Sequence, residues 1–382
     1  MKRIGLITFH ESDNYGTCLQ AYALQSALEL MGYDVEIINY RRKQLVSNTT
    51  PSITERLDYL WKEYGISNLL MRSEVKNYTD NKGKSFSSFR NTYYHYSKRT
   101  LCDYSELLEL NNQYDAFVCG SDMIWTAERA QNLGVYFLQF ANKEKRISYS
   151  PSFGASKIPD DLREIYKQYI SEIPYLSCRE KSGVSLIESL CGKKALLTTD
   201  PTLLLDKDFW IDKCAEMHLP PRYVLVYLFE GVPKWVNEAI TNVAKILNAE
   251  IIEIPMAVRQ VCTAIRNKQK IIGPLEFISL FCNASFVFTN SYHGLMFSLI
   301  FEKDFYIVPR ATEGHWSQFE SRLRDILDDM QLTNRILSNN TAYDAYHIHY
   351  EEILPILDDR RDSSINYLQK SLYSVCAERD QV

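Results

Sequence analysis

Long apolar runs are absent from this 382-residue sequence. No stretch approaches the about 18 consecutive apolar residues that a transmembrane helix needs, so no membrane span is expected. The opening residues MKRIGLITFHESDNYG hold only a short apolar run before His10, which predicts a first strand and not a secretory signal peptide. Both observations favour a cytoplasmic protein, and peripheral contact with the inner membrane face is compatible with them.

Cysteine spacing typical of metal and redox sites is also missing. None of the nine cysteines forms a Cys-x-x-Cys pair with another, and no group of His, Asp and Glu has the spacing of metal ligands. An odd number of scattered thiols is typical of a reducing compartment. We therefore expect no metal site.

Positive charge is not concentrated anywhere in the chain. No run of Lys and Arg exceeds three residues and the net charge is −5, so nucleic acid is not an expected partner. Apolar residues at 46% and charged residues at 24% are typical of a globular protein, and the length favours two domains. The 26 tyrosines could stack on sugar rings or simply pack in the interior.

The beginning of the chain has the pattern of a strand–helix–strand unit. Arg3–Phe9 and Val35–Tyr40 are apolar runs typical of buried strands. Between them, apolar residues at helical spacing predict a helix over Leu19–Met31, which Gly32 ends. Such a unit predicts a parallel sheet.

Further strand-like runs follow, each succeeded by a polar or glycine-bearing turn. We predict strands over 115–119, 146–150, 175–178, 195–198, 223–229, 250–254, 285–289 and 305–308. We predict helices over 235–247, 275–282, 321–330 and 350–376, and helices with loops over 41–113. Interruptions over 206–221 indicate a boundary between domains 1–205 and 206–382. The predicted fold class is α/β, with two Rossmann-like domains facing a cleft, and the turns beyond the strands are the expected ligand site.

The turn in TNSYHGLMFSLIF, residues 289–301, joins a strand-like run to a helical one. The exposed N–H groups at a helix N-terminus favour an anion there. Ser291 or Asn290 can cap the helix, and Gly294 would let the backbone approach a ligand closely. His293 could donate to a phosphate or shuttle a proton near neutral pH. An ordinary cap with a packed histidine explains the turn equally well.

Several segments, in this order, carry a resemblance to a known family. They are GLITFHESDNYGTCLQAYALQ (5–25), YDAFVCGSDMIW (114–125), RISYSPSFG (146–154), LSCREKSG (176–183), TTDPTLLL (198–205), GPLEF (273–277) and TNSYHGLMFSLIFEKDFY (289–306). In their joint order the chain resembles the polysaccharide pyruvyl transferase family. The resemblance implies transfer of pyruvate from phosphoenolpyruvate to a sugar, giving a pyruvate ketal. It also implies an architecture like the two-domain GT-B arrangement of many glycosyltransferases.

The donor that the resemblance implies carries a carboxylate and a phosphate. One helix N-terminus supplies only about 0.3–1 kcal/mol per charge, so at least one arginine is needed. Arg179, inside the family-like CRE segment, is the first choice, although a surface ion pair with Glu180 or another acid is the simpler explanation of that residue alone. Arg310 and Arg322 are further candidates. With His293 as acid or phosphate partner, the reaction needs no metal and no cofactor beyond the donor substrate.

Residues in the loops of the first half are the expected acceptor side. We expect Asn14 and Tyr15 to meet the acceptor, Asp122 to bind it or act as a base, and Trp125 to stack on a sugar face. Capping by Asn14 and core packing by Trp125 are the alternatives. We interpret Asp200 as a turn residue. His315-Trp316 could line the edge of the cleft or belong to a surface loop.

Three functions compete at this point. The first is a phosphoenolpyruvate-dependent pyruvyl transferase of surface or exopolysaccharide synthesis, acting on a sugar, a nucleotide-sugar or a lipid-linked oligosaccharide. The second is a glycosyltransferase of the same architecture that uses a nucleotide-sugar. The third is a non-catalytic sugar-binding or scaffold member of a polysaccharide assembly complex.

Overall fold

The fold is taken from a computed structural model. The structure describes residues 1–41, 66–128, 133–229, 232–309, 317–339 and 347–377. The candidates Arg310, His315 and Trp316 lie outside these residues, as does part of the predicted helical region 41–113.

The first half is built on a parallel sheet in the order β2-β1-β3-β4. Its strands are β1 (Arg3–Ile7), β2 (Asp34–Ile37), β3 (Ala116–Cys119) and β4 (Arg146–Ser148). Its helices are α1 (Tyr15–Leu30), α2 (Arg72–Tyr93), α3 (Tyr104–Leu108), α4 (Leu133–Tyr136), α5 (Arg163–Ser171) and α6 (Lys181–Cys191). In the register of the central pair, Ile4 lies opposite Ala116 and Ile7 opposite Cys119.

The second half repeats this plan with a parallel sheet in the order β10-β9-β7-β8. Its strands are β7 (Tyr223–Tyr227), β8 (Glu250–Glu253), β9 (Phe286–Thr289) and β10 (Phe305–Ile307). Its helices are α7 (Lys207–Ile211), α8 (Val236–Ile246), α9 (Val258–Arg266), α10 (Pro274–Asn283), α11 (Tyr292–Ile300), α12 (Ser317–Asp329) and α13 (Tyr350–Ala377). The predicted α/β class with two parallel sheets is confirmed.

Two of the predicted strands lie outside the main sheets. β5 (Ser177–Cys178) and β6 (Leu196–Leu197) pair with each other in a separate two-stranded sheet. α1 begins at Tyr15, earlier than the predicted start at Leu19, because the side chain of Asn14 caps it by accepting from the backbone N–H of Thr17 at 3.1 Å.

The central strands are buried along their length because helices cover both faces of each sheet. Every residue of β3, β7 and β9 is buried, as expected for parallel strands. One hydrophobic core joins the two halves: the ring of Tyr15 stacks on Phe277 at 4.7 Å, and its hydroxyl donates to the carbonyl oxygen of Ile272 at 2.8 Å. The two halves are therefore joined by tightly packed side chains.

α13 contacts both halves of the molecule. The hydroxyl of Tyr350 donates to the carbonyl oxygen of Lys303 in the second half at 2.6 Å. Farther along, the hydroxyl of Ser364 accepts from the backbone N–H of Thr199, and that of Tyr367 donates to the carbonyl oxygen of Ser148. The boundary near residue 205 stays a prediction. Among the described residues, no helix has the length and apolarity that crossing a membrane requires.

Candidate functional site

A cleft of about 890 Å³ lies where the carboxyl ends of the two sheets face each other. Its lining follows β1, β3 and β5 in the first half and β7, β8 and β9 in the second, with α12 closing one side. The lining includes His10, Asn14, Thr17, Tyr40, Asp122, Arg179, Phe229, Asn290, Ser291, Tyr292, His293 and Arg322. A cavity is therefore present beyond the strand ends, which is where a ligand site is expected.

The turn between β9 and α11 brings three predicted residues to the cleft wall. Ser291 is the N-cap of α11, and its hydroxyl accepts from the N–H of Gly294 at 3.3 Å. The side chain of Asn290 holds the end of β7 in place by accepting from the N–H of Phe229 at 2.8 Å and donating to the carbonyl oxygen of the same residue. The third residue is His293.

Gly294 has a role in packing. It does not line the cleft: a Cβ atom there would lie 2.1 Å from Oγ1 of Thr289. The glycine is therefore needed so that α11 can pack closely against the end of β9, and the expected approach of its backbone to a ligand stays a prediction.

His293 is held at the junction of the halves. Its ring packs against the first turn of α1, where a Cβ on Gly16 would lie 2.0 Å from Nδ1. Its Nε2 lies 3.6 Å from Oδ2 of Asp200, beyond ordinary hydrogen-bond distance, and has no hydrogen-bond partner in the described part of the chain. A buried imidazole nitrogen without a partner is available to a ligand.

Arg179 is the central cation of the cleft. Its Nη1 donates to Oδ2 of Asp200 at 2.9 Å, and Nη2 lies 3.6 Å from Oδ1 of Asp122. The guanidinium stacks over the ring of Tyr292 at 4.4 Å. Within the described residues, Nε and Nη2 have no hydrogen-bond partner although the side chain is only 1% exposed. Two buried donors are thus left for an anionic ligand.

The surface ion pair between Arg179 and Glu180 is not formed. Glu180 is itself buried, and its Oε1 accepts from the hydroxyl of Ser152 and the N–H of Phe153, both at 2.9 Å. Arg179 instead pairs with two other acids, Asp200 and Asp122, in a buried position at the cleft.

The two carboxylates beside Arg179 remain ionised. Burial alone would raise the pKa of Asp200, but the charges of His293 and Arg179 outweigh it and hold the pKa well below its usual range. Burial is likewise outweighed at Asp122, where Arg179, His293 and a 2.7 Å hydrogen bond from Thr17 lower the pKa. Both are therefore acceptors at neutral pH.

Arg322 brings a second guanidinium to the same place from α12. It lies 5.9 Å from the ring of Tyr292, the same ring over which Arg179 stacks. Burial and the nearby charge of Arg179 lower the pKa of Arg322 to about 10. The carboxylates of Glu180 and Asp122 oppose this shift, so the two guanidiniums and the carboxylates form one buried charged cluster at the cleft.

Two predicted acceptor residues are not in the cleft. Trp125 is fully buried, stacks on Phe137 at 4.5 Å and donates its indole N–H to the carbonyl oxygen of Tyr136. Tyr15 is 1% exposed and packs in the core between the halves. Stacking of Trp125 on a sugar and contact of Tyr15 with an acceptor are therefore wrong. Asn14 and Asp122 do line the cleft, and their roles toward an acceptor stay predictions.

Sequence reasoning missed several members of the site. Asp200 does cap the turn Pro201–Leu204, as predicted, by accepting from the N–H of Thr202 at 3.0 Å. It also pairs with Arg179, which the turn signal does not indicate. Thr17, His10 and Tyr292 gave no signal of their own beyond their positions just after strands. Among the described residues, no group of three or more His, Cys, Asp and Glu is placed to hold a metal ion.

The structure is thus a two-part α/β protein with a polar cleft between its parallel-sheet halves, and the cleft holds a buried arginine and a histidine at a helix N-terminus. The family model for polysaccharide pyruvyl transferase matches residues 14–311. The chain therefore belongs to the polysaccharide pyruvyl transferase family, which confirms the resemblance, and it is a member of a transferase family of polysaccharide biosynthesis.

Solved structures match the chain only at low sequence identity. UDP-GlcNAc 2-epimerase from Neisseria meningitidis has a TM-score of 0.47 at 8% identity, over 97% of this chain and 99% of that one. UDP-GlcNAc 2-epimerase from Methanocaldococcus jannaschii has a TM-score of 0.42 at 14% identity, over 94% and 100%. A point mutant of TarM from S. aureus has a TM-score of 0.44 at 8% identity, over 97% and 100%. No curated protein matches the sequence significantly.

Proposed function

We propose that this protein transfers the pyruvyl group of phosphoenolpyruvate to two hydroxyl groups of a sugar, forming a pyruvate ketal. The observation that carries the proposal is Arg179, a buried guanidinium with two unused donors on the cleft. Phosphoenolpyruvate offers a carboxylate and a phosphate, and either one matches the planar fork of an arginine. No cofactor is needed besides this donor.

The chemistry has four parts. A general acid protonates the vinyl carbon, which leaves the neighbouring carbon cationic. A sugar hydroxyl attacks that carbon and gives up its proton. The bond to the phosphate oxygen breaks and phosphate leaves, and a second hydroxyl then attacks, loses its proton and closes the ketal.

The residues of the cleft suit these parts. His293 is placed to protonate the donor or to hold its phosphate, since its Nε2 is unpaired beside Asp200. Arg179 and Arg322 stabilise the leaving phosphate. Asp122, kept ionised by Arg179, accepts hydrogen bonds or a proton from the acceptor.

The acceptor is a sugar, a nucleotide-sugar or a lipid-linked oligosaccharide. The cleft volume of about 890 Å³ exceeds what a three-carbon donor fills, so a second substrate can enter beside it. A lipid-linked acceptor would require the protein to work from the cytoplasm at the inner membrane face.

The test is calorimetric titration of phosphoenolpyruvate into the wild type and into Arg179→Ala and His293→Ala. Removing one partner of a buried charge pair costs about 2–5 kcal/mol, so Arg179→Ala should bind at least about thirtyfold more weakly. If His293 is the acid, its variant keeps binding and loses turnover; if it holds the phosphate, binding weakens too. Arg163→Ala, at an exposed arginine of α5, is the control and should bind like the wild type.

UDP-GlcNAc serves as the competing ligand in the same titrations. Saturable binding of UDP-GlcNAc without binding of phosphoenolpyruvate would overturn the proposal and favour a nucleotide-sugar glycosyltransferase. Binding of sugars alone, with no turnover in the presence of phosphoenolpyruvate, would favour a scaffold.

A further inference from the structure

His10 is a buried histidine on the cleft wall, three residues beyond the end of β1. Its Nε2 lies 3.3 Å from the carbonyl oxygen of Tyr40, and its ring packs edge-on against Tyr96 at 5.5 Å. A carbonyl oxygen can only accept a hydrogen bond, so Nε2 must carry the hydrogen. The other nitrogen, Nδ1, is then left with a lone pair in the neutral ring.

That lone pair is unused within the described part of the chain. Nδ1 of His10 has no hydrogen-bond partner, although the residue is only 5% exposed. An unpaired buried acceptor costs free energy unless a ligand or ordered water satisfies it. Because His10 belongs to the cleft lining, a ligand in the cleft could supply the missing hydrogen-bond donor.

The ring stays neutral over the physiological range. Burial lowers the pKa of His10 to about 4; the hydrogen bond to Tyr40 opposes this, and the charges of Arg41 and Arg90 add to it. A neutral acceptor nitrogen selects a hydrogen-bond donor and gives no attraction to an anion. Its partner is therefore a group such as a hydroxyl.

The charged groups near His10 also differ from those at the proposed anion site. The cations that act on His10 are Arg41 and Arg90, whereas Asp122 and Asp200 respond to Arg179 and His293. The cleft thus has one part that suits a phosphate or carboxylate and another part that suits an uncharged polar group.

We propose that Nδ1 of His10 accepts a hydrogen bond from a hydroxyl group of the acceptor sugar, and that His10 marks the acceptor subsite. This inference rests on the proposed function for the presence of a sugar. It adds which residue receives the sugar and which chemical group that residue recognises.

Two substitutions separate recognition from structural support. In His10→Gln the side-chain amide N–H can replace Nε2–H toward Tyr40, but nothing replaces the acceptor Nδ1. In His10→Asn the shorter amide oxygen lies near the place of Nδ1, while the bond to Tyr40 is lost. A purely structural histidine would tolerate Gln better than Asn, whereas a sugar-binding nitrogen would tolerate Asn better than Gln.

The experiment measures binding of the methyl glycosides of galactose, glucose and mannose by calorimetry to the protein without phosphoenolpyruvate, so that no ketal can form during the titration. For the glycoside that binds the wild type, we expect His10→Gln to bind about five- to tenfold more weakly and His10→Asn to lose less. Both variants should bind phosphoenolpyruvate like the wild type. Nitrogen NMR of labelled histidine should show the neutral Nε2–H tautomer and a change at Nδ1 when the glycoside is added.

Three results would overturn the inference: no glycoside binds the wild type, His10→Gln binds glycoside like the wild type, or the ring carries its hydrogen on Nδ1. None of these depends on the donor. Failure of the wild type to bind phosphoenolpyruvate would instead count against the proposed function, and glycoside binding to the unloaded protein would still test His10.

Discussion

Gly16 lies directly against the imidazole ring of His293, so closely that a Cβ atom at residue 16 would be 2.0 Å from Nδ1 and 2.2 Å from Cγ. Gly16 is in the first turn of α1 in the first half, and His293 is in the first turn of α11 in the second. The missing side chain of one half therefore makes room for the imidazole ring of the other.

Gly16→Ala should inactivate the protein without unfolding it. The added methyl group must push the ring of His293 aside, and a displacement near 1 Å can cost about a hundredfold in rate. Alanine otherwise favours a helix over glycine by about 0.5–1 kcal/mol, which offsets part of the strain. We expect kcat for ketal formation to fall at least about tenfold in the folded variant, with a loss of about 1–3 kcal/mol in the free energy of unfolding from overpacking.

Gly134→Ala is the matched control for this prediction. Gly134 is also a helical glycine, but a Cβ there would meet its nearest heavy atom at 3.6 Å, an ordinary contact. The interpretation would be contradicted if both alanine variants lost activity equally, or if Gly16→Ala kept the wild-type rate.

Asp200 should link stability to pH. Its folded-state pKa lies below the value of about 3.9 for an unfolded chain, so its contribution is present above that value and is lost as the pH falls through the folded-state pKa. Asp200→Asn should lower the free energy of unfolding at pH 7 by about 3–5 kcal/mol, because Arg179 loses its partner in a buried site.

The measurement for Asp200 is denaturant unfolding of the wild type and the variant between pH 7 and pH 3. The difference between them should shrink as the pH falls below about 4. Asp161→Asn, at an exposed aspartate, should show no such difference. A constant gap across the whole range would mean that Asp200 acts through its cap on Thr202 and not through its charge.

The fold could be predicted from the sequence because its signals are local. Buried strand runs such as Tyr223–Tyr227 end in polar turns, and Ser291 has the residue type and position of a helix cap. The pairing of Arg179 with Asp200 could not be predicted, since it depends on how the ends of two short strands meet in space. In the sequence, the position of Asp200 before Pro201 is fully explained by a turn or cap. Nothing there indicates that Asp200 also pairs with Arg179.

The same limit explains the errors at the aromatic residues. Trp125 and Tyr15 follow strands just as Asp122 and Asn14 do, so position along the chain predicts the cleft for all four. Whether a residue lines the cleft depends on the direction of its side chain. Both aromatic rings pack into the core, where the hydroxyl of Tyr15 and the indole N–H of Trp125 each donate to a backbone carbonyl oxygen.

Trp125→Leu should therefore affect stability and not acceptor recognition. Loss of the stack on Phe137 and of the indole hydrogen bond leaves a cavity, with an expected cost of about 3 kcal/mol in the free energy of unfolding. Binding of the methyl glycosides, measured well below the melting temperature, should be unchanged in the folded variant. If Trp125→Leu lost glycoside affinity while its stability stayed the same, stacking of Trp125 on the sugar would be supported after all.

Arg322 should contribute to donor affinity through its charge. It is buried on α12 against the ring of Tyr292, close enough to Arg179 for mutual repulsion to lower its pKa. Phosphoenolpyruvate in the cleft would offset that repulsion, and a charge-assisted hydrogen bond contributes about 1.5–3 kcal/mol. Arg322→Gln should therefore weaken phosphoenolpyruvate binding at least about tenfold in calorimetry, whereas Arg324→Gln, an exposed arginine on the same helix, should not. If both variants weakened binding equally and added salt abolished the difference from the wild type, α12 would act on the donor only through its long-range positive charge.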